Sequence, residues 1–160
     1  MNVLQQAAAD FLAQRRIAVA GVSRNQAEAA NAIYRRLRTA GYEVYAVNPS
    51  ADEVEGDPCY PTLSVVPASL DGVVIVTPPE ATAALVEDCA ALGIPRVWMH
   101  QGIGPGSVSE SAVARCRDHG IAVIPGACPM MFLDPVDVGH RCIRAVSRLT
   151  GRLPEPVLVG

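Results

Sequence analysis

The fold class this 160-residue sequence predicts is a doubly wound α/β domain, and three observations predict it. Short β-branched runs alternate with helix-length amphipathic stretches along the whole chain. The runs are almost continuously apolar, as strands covered on both faces of a parallel sheet must be. The composition is 50% hydrophobic but only 4% aromatic, which suits aliphatic layers packed on a sheet rather than a surface for stacking bases.

An amphipathic N-terminal helix, with Leu4, Ala8, Phe11 and Leu12 on its apolar side, precedes the first run. Strands are then expected at residues 17–22, 42–47, 72–76, 96–99 and 121–124, about five in all, each ending at turn residues. Between the first two, Ala30, Ile33, Leu37 and Ala40 share a helical face, and Gly41 is the stop. Asn31 is read as the cap of that helix. Thr77-Pro78-Pro79-Glu80 supplies an N-cap, a first-turn proline and a capping-box Glu for the next, whose stripe is Ala81, Leu85, Cys89 and Leu92. Ser107-Val108-Ser109-Glu110 repeats that spacing, with Gly120 as terminator. Asp134-Pro135 opens a last helix carrying the stripe Val136, Ile143, Val146 and Leu149, closed by Gly151. Right-handed crossovers make the topology a Rossmann-like doubly wound parallel sheet in a single domain, with extra N- and C-terminal helices. The domain is expected to occupy residues 1–152, leaving 153–160 as a tail.

Charge and special residues exclude several function classes. Acids outnumber bases 16 to 13, for a formal net charge of −3, so no nucleic-acid partner is expected. All 13 basic residues are Arg, which removes lysine Schiff-base chemistry and the lysine-dependent P-loop. No apolar run has the length of a membrane span, and the first 14 residues lack a basic export signal. The five cysteines (59, 89, 116, 128 and 142) are odd in number and never spaced C-x-x-C. A cytoplasmic protein with reduced thiols is the expectation. His140-Arg141-Cys142 has the wrong spacing for two ligands on one helical face, so no metal site is expected.

A ligand of such a sheet sits beyond the carboxyl ends of its strands. Those ends are Gly21-Val22-Ser23-Arg24-Asn25-Gln26, Asn48-Pro49-Ser50, Val76-Thr77-Pro78-Pro79 and, after the fourth strand, Gln101-Gly102. Backbone N–H groups of the first segment, the following helix dipole and Arg24 suit a phosphate. The pattern departs from a dinucleotide fingerprint: Ser23 and Asn25 stand where further glycines belong. Asn48 replaces the acid that would hold a ribose diol. The paired prolines make a stiff apolar ledge suited to an uncharged arm.

The run IAVAGVSRNQAEAANAIYRRLRTAGYEVYAVNPSADEVEGDPCYPTL, followed by VIVTPPEAT, VWMHQGI and PGACPMMF, resembles the stand-alone CoA-binding proteins of the YccU-like type. These are relatives of the CoA-binding domain in the succinyl-CoA synthetase α subunit. The likeness spans roughly residues 10–150. It implies that the adenosine diphosphate end of coenzyme A lies over residues 21–26 and 48–50, with pantetheine running past 77–79 toward 98–102. The synthetase's lysine after its second strand is replaced by Ala51, and Arg24 is the nearest basic substitute. Neither the phosphohistidine domain nor the ATP-grasp partner of that class is read in these residues, so no catalytic residue is expected.

The cofactor-binding set read from the sequence is therefore Gly21, Val22, Ser23, Arg24, Asn25, Gln26, Asn31, Asn48, Pro49, Ser50, Val76, Thr77, Pro78, Pro79, Gln101 and Gly102. The expected ligand is coenzyme A or a short acyl-CoA, held without a complete catalytic apparatus. Two alternatives stay open: an NAD(P) oxidoreductase or a CoA transferase using Cys128, and an interaction module with a vestigial pocket. Cys128 follows the fifth strand at the ligand edge, where a helix N-terminus would activate its thiol. Cys59 is read on a loop, where a mixed disulfide with the CoA thiol is conceivable. Asp52, Glu53 and Glu55 are read as exposed loop charge, and Arg141, Arg144 and Arg148 as a solvated stripe. A homodimer is compatible with so small a domain.

Overall fold

The computed structural model describes residues 1–103 and 106–159. Gly160, the last residue of the expected tail, lies outside the described residues.

Helix α1 (Val3–Leu12) is opened by Asn2 and Gln5, each side chain accepting from the other's backbone N–H, and buries Leu4, Ala7, Ala8 and Phe11. Strand β1 (Arg16–Ala20) leads through a loop into α2 (Ala29–Thr39), then β2 (Glu43–Val47). A short hairpin follows, β3 (Glu53–Val54) and β4 (Asp57–Tyr60), and then β5 (Gly72–Ile75). The second half alternates α3 (Pro79–Ala91), β6 (Arg96–Met99), α4 (Glu110–Asp118) and β7 (Ala122–Pro125), and ends in α5 (Val138–Leu149).

The described strands form one seven-stranded sheet in the order β3-β4-β2-β1-β5-β6-β7. Every pairing is parallel except β3 with β4. Leaving β3 aside, the order is that of a dinucleotide-binding sheet, and it reverses between β1 and β5. The doubly wound Rossmann-like class is therefore the observed one. Alternate residues of each strand feed the two layers. Ile17, Val19, Val74 and Trp98 pack beneath α1 and α2, whereas Ala18, Ala20, Val73, Ile75 and Val97 pack beneath α3 and α4. Trp98 is fully buried, edge-on to Phe11 at 5.4 Å, and its indole N–H donates to the Gly126 carbonyl at 2.9 Å.

Several expectations are corrected. There are seven described strands rather than about five, because residues 53–60 form the hairpin. Its two-residue turn, Glu55-Gly56, has φ values of 54° and 78°, the left-handed pair that a tight antiparallel turn requires. Cys59 thus lies in β4, buried, rather than on a loop. The cap of α2 is Glu28, whose side chain makes no capping bond, and Asn31 lies inside the first turn. The cap of α3 is Pro78, so Thr77 and Glu80 form no capping box, and its buried residues are Thr82, Val86 and Cys89. Ser109 caps α4, which releases Ser107 for another role. Asp137, not Asp134, caps α5, by accepting the His140 N–H.

The largest correction concerns α5. It is strongly amphipathic in sequence, yet none of its residues is buried. It rests on the molecule through His140, Ile143, Arg144 and Ser147, and Val138, Val146 and Leu149 point outward, Leu149 at 88% exposure. Periodicity identified the helix but not which of its faces is covered.

Candidate functional site

The predicted segments meet along the carboxyl edge of the sheet, in the order 48–50, 21–26, 76–79 and 100–102. This edge is stitched together by hydrogen bonds. Gly21 N–H donates to the Val47 carbonyl and Val76 N–H to that of Ala20, both at 2.9 Å. The Asn48 amide donates to the Val22 carbonyl at 2.9 Å while its oxygen accepts from the Ser50 N–H at 2.9 Å. Arg24 reaches across the gap to the Ser50 carbonyl at 3.0 Å. Gly21 is obligatory here: its φ is +107°, and an added Cβ would stand 2.1 Å from the Val76 carbonyl oxygen. The absence of a side chain is what lets the β1 loop close against the end of β5.

Asn31 carries the loop from beneath. It is fully buried, its oxygen accepting the Ser23 N–H at 3.0 Å and its amide donating to the Ser23 carbonyl at 2.7 Å and to Glu55 at 3.0 Å. Glu55 also accepts from Arg35 at 2.6 Å, with its side chain only 6% exposed. Bonds from Asn31 and Arg35 hold its carboxyl below the usual carboxylate range. Glu55 is thus a structural strut rather than exposed charge; Asp52 and Glu53 are exposed. A second strut joins the same elements, with Tyr34 and Arg38 both donating to Asp57 at 2.7 Å. Sequence reasoning missed both struts. The Glu55-Gly56 pair is the sequence signal for the tight turn that carries Glu55, and nothing local to it names α2 as the partner.

The α2 N-terminus faces the rim. The N–H groups of Ala29, Ala30 and Asn31 have no hydrogen-bond partner among the described residues. Arg24 takes part in none of the described ion pairs, so it is the charge open to an anion. Glu28 sits at the same end, held by the Asn25 amide at 3.3 Å. Val22 contributes its backbone alone, because its side chain is in the core. Pro49, Pro78, Gln101 and Gly102 are exposed along the edge, Pro79 partly so.

Farther along, Thr77 N–H donates to Ser107 Oγ at 3.0 Å, and Ser107 N–H donates to the His100 carbonyl at 2.8 Å. Ser107 therefore ties the proline ledge to the end of β6. Beyond it a cavity of about 330 Å³ lies between the start of α2, the turn at 129–131 and α5. A neighbouring cavity of about 590 Å³, bounded by Gln101, Ala127 and α5, shares Gly102, Met131 and Ile143 with it.

The four buried thiols are poor nucleophiles. Burial pushes the Cys128 thiol up to about 11, and Cys89 and Cys116 up to about 12. Cys59 is likewise raised by burial, its Sγ against the Asn48 carbonyl. Burial thus works against the activated Cys128 considered from sequence. No metal-ligating group of three acidic, His or Cys side chains occurs among the described residues. No described helix is long and apolar enough to cross a membrane.

Comparison with known proteins places this geometry. Over 118 residues the chain is 30% identical to acetate–CoA ligase (ADP-forming) I of Archaeoglobus fulgidus, covering 70% of this chain but 17% of the ligase. It is 28% identical over 114 residues to protein YneT of Bacillus subtilis, 71% of this chain and 82% of that one. A solved structure of a hypothetical protein from Pyrococcus horikoshii OT3 superposes with a TM-score of 0.76 at 26% identity, over 82% of this chain and 91% of that chain. The family model described as a CoA binding domain matches residues 15–134, which take in the glycine loop, the Asn48 turn, the proline ledge and the end of β6. This chain belongs to the CoA binding domain family.

Proposed function

We propose that the chain binds coenzyme A across this rim as a stand-alone unit and holds it without transforming it. The observation that carries the reading is the occupation of Asn48. Its amide and its oxygen are both spent on closing the β1 and β2 loops. The end of β2 therefore presents a loop-bonded amide in place of the carboxylate that holds the ribose diol of a nicotinamide dinucleotide. What remains open suits a diphosphate: the N–H groups at the start of α2, and Arg24 bridged to Ser50. Thr77, Pro78 and Pro79 then form an uncharged track for pantetheine toward Gln101 and Gly102. Gly21, Ser23, Asn25 and Gln26 shape the phosphate loop, and Asn31 holds it in place. The match to YneT over 82% of its length supports the stand-alone reading.

Calorimetric titration tests this. Saturable heat with CoA, and at least tenfold weaker binding of NAD⁺ and NADP⁺, is expected; the opposite ranking overturns the assignment. A second reading, an interaction module with a vestigial pocket, is favoured by the outward apolar stripe of α5. Thermal stability unchanged at saturating CoA would favour it, because a ligand specific to the native state must raise stability.

A further inference from the structure

We infer that the cavity between α2, the 129–131 turn and α5 is a chamber for an uncharged aliphatic acyl group carried on the pantetheine end. The inference rests on the proposed CoA site and adds to it the class of thioester that fits. Three features carry it.

The first is continuity. Ser107 binds both Thr77 and His100, so the ledge that would carry pantetheine ends at the chamber wall. Gly102 lines the same space, and a Cβ built there would stand 3.5 Å from the His100 ring. The second is size: about 330 Å³ lies at the lower end of small-ligand cavities and holds an arm rather than a nucleotide. The third is chemistry. The walls include Ala32, Ile33, Met130, Met131 and Ile143, and no Arg, Asp or Glu lines the space among the described residues.

The polar groups that face it are quiet. Cys128 is held as a thiol by burial. Burial, reinforced by the neighbouring His140, favours neutral His100. His140 is engaged through Nδ1 by Asp137 at 2.5 Å. Arg144 of α5 is engaged by the Met131 carbonyl at 2.8 Å and lies over the Phe132 ring. A carboxylate-bearing acyl group would therefore lose its water and meet only imidazole groups, with no guanidinium on the lining, in exchange. Methionine in the wall lets the chamber adapt to chain length.

The test is a calorimetric series on the intact chain with CoA, acetyl-CoA, butyryl-CoA and succinyl-CoA. Each buried methylene tightens binding by about fourfold, so butyryl-CoA, two methylenes longer, is expected about fifteenfold tighter than acetyl-CoA. Succinyl-CoA is expected at least tenfold weaker than butyryl-CoA. Equal affinity for all four, within about twofold, overturns the chamber and leaves the CoA site standing. No heat with CoA itself overturns both. Two variants, checked for native melting, address the walls. Ala32→Phe should fill the space and bring the butyryl-to-acetyl ratio to about one. Met130→Arg should reverse the preference toward succinyl-CoA. Ratios unchanged in a folded variant would overturn the assignment of that wall, and unchanged ratios in both would overturn the chamber.

Discussion

The two ends of the proposed site are built on opposite plans. At the β1–β2 end, buried Asn31 and half-buried Asn48 hold the loops by hydrogen bonds, Asn31 to Ser23 and Glu55, Asn48 to Val22 and Ser50. At the α5 end the contacts are apolar, the helix buries nothing completely, and cavities remain beside it. A hydrogen-bonded rim fixes backbone donors to within a fraction of an ångström, as diphosphate recognition demands. An apolar, loosely covered chamber tolerates ligands that differ by a methylene. The difference teaches that one sheet edge can separate strict recognition from permissive recognition by the kind of bond that supports each loop.

Gly21 offers the sharpest way to break this contrast. Gly21→Ala combines a left-handed backbone with a Cβ 2.1 Å from a carbonyl oxygen, so a loss of about 3 kcal/mol or more is expected in urea denaturation. Gly41 has a φ of +95° with nothing within 4 Å, and Gly41→Ala should cost only about 1–2 kcal/mol. Equal losses at the two positions would show that the close approach to β5 is unimportant. Next in size is Asn31→Ala, which strands the Ser23 N–H and leaves the Glu55 carboxylate to Arg35 alone. It should cost about 2–3 kcal/mol and weaken CoA binding, read by melting and by titration.

The struts also make stability fall with acid. Glu55 and Asp57 titrate below their unfolded values, so the stability they contribute is full above the unfolded carboxylate range. It is lost as pH falls through their folded values. His100, neutral in the fold and lowered from its unfolded value, works in the same direction beginning near its unfolded pKa of about 6.5. Denaturation midpoints measured between neutral pH and about pH 3 should decline, and Glu55→Gln should flatten the acidic part of the curve. A midpoint that rises with acid would contradict the strut assignment.

Smaller effects sharpen the account. Glu28→Gln removes a negative charge beside the phosphate loop and should tighten CoA by up to about fivefold, most at low salt. Leu149→Ser on the outer face of α5 should change stability by no more than about 0.5 kcal/mol, since that side chain is 88% exposed. A loss of several kcal/mol would mean that the stripe is covered in solution.

Much of this was legible in the residues because local chemistry and tertiary structure agree. Strand β6 was read with its own boundaries, and the glycine loop, the Asn48 turn and the ledge were located because sheet topology places ligands at strand ends. What stayed hidden depended on partners distant in sequence. Glu55 is a charge that only α2 makes into a strut, across 20 residues to Arg35. Ser107 carries the spacing of a cap but spends its hydroxyl on Thr77, because Ser109 already serves α4. The α5 stripe had the right period, and only packing decides which face of a helix is covered.

A crystal of the chain grown with CoA tests the central claim most directly. The account predicts the pyrophosphate over the N–H groups that open α2, with Arg24 alongside and pantetheine lying on Pro78 and Pro79. A rim left empty at saturating CoA, or the nucleotide bound on another face, would contradict it.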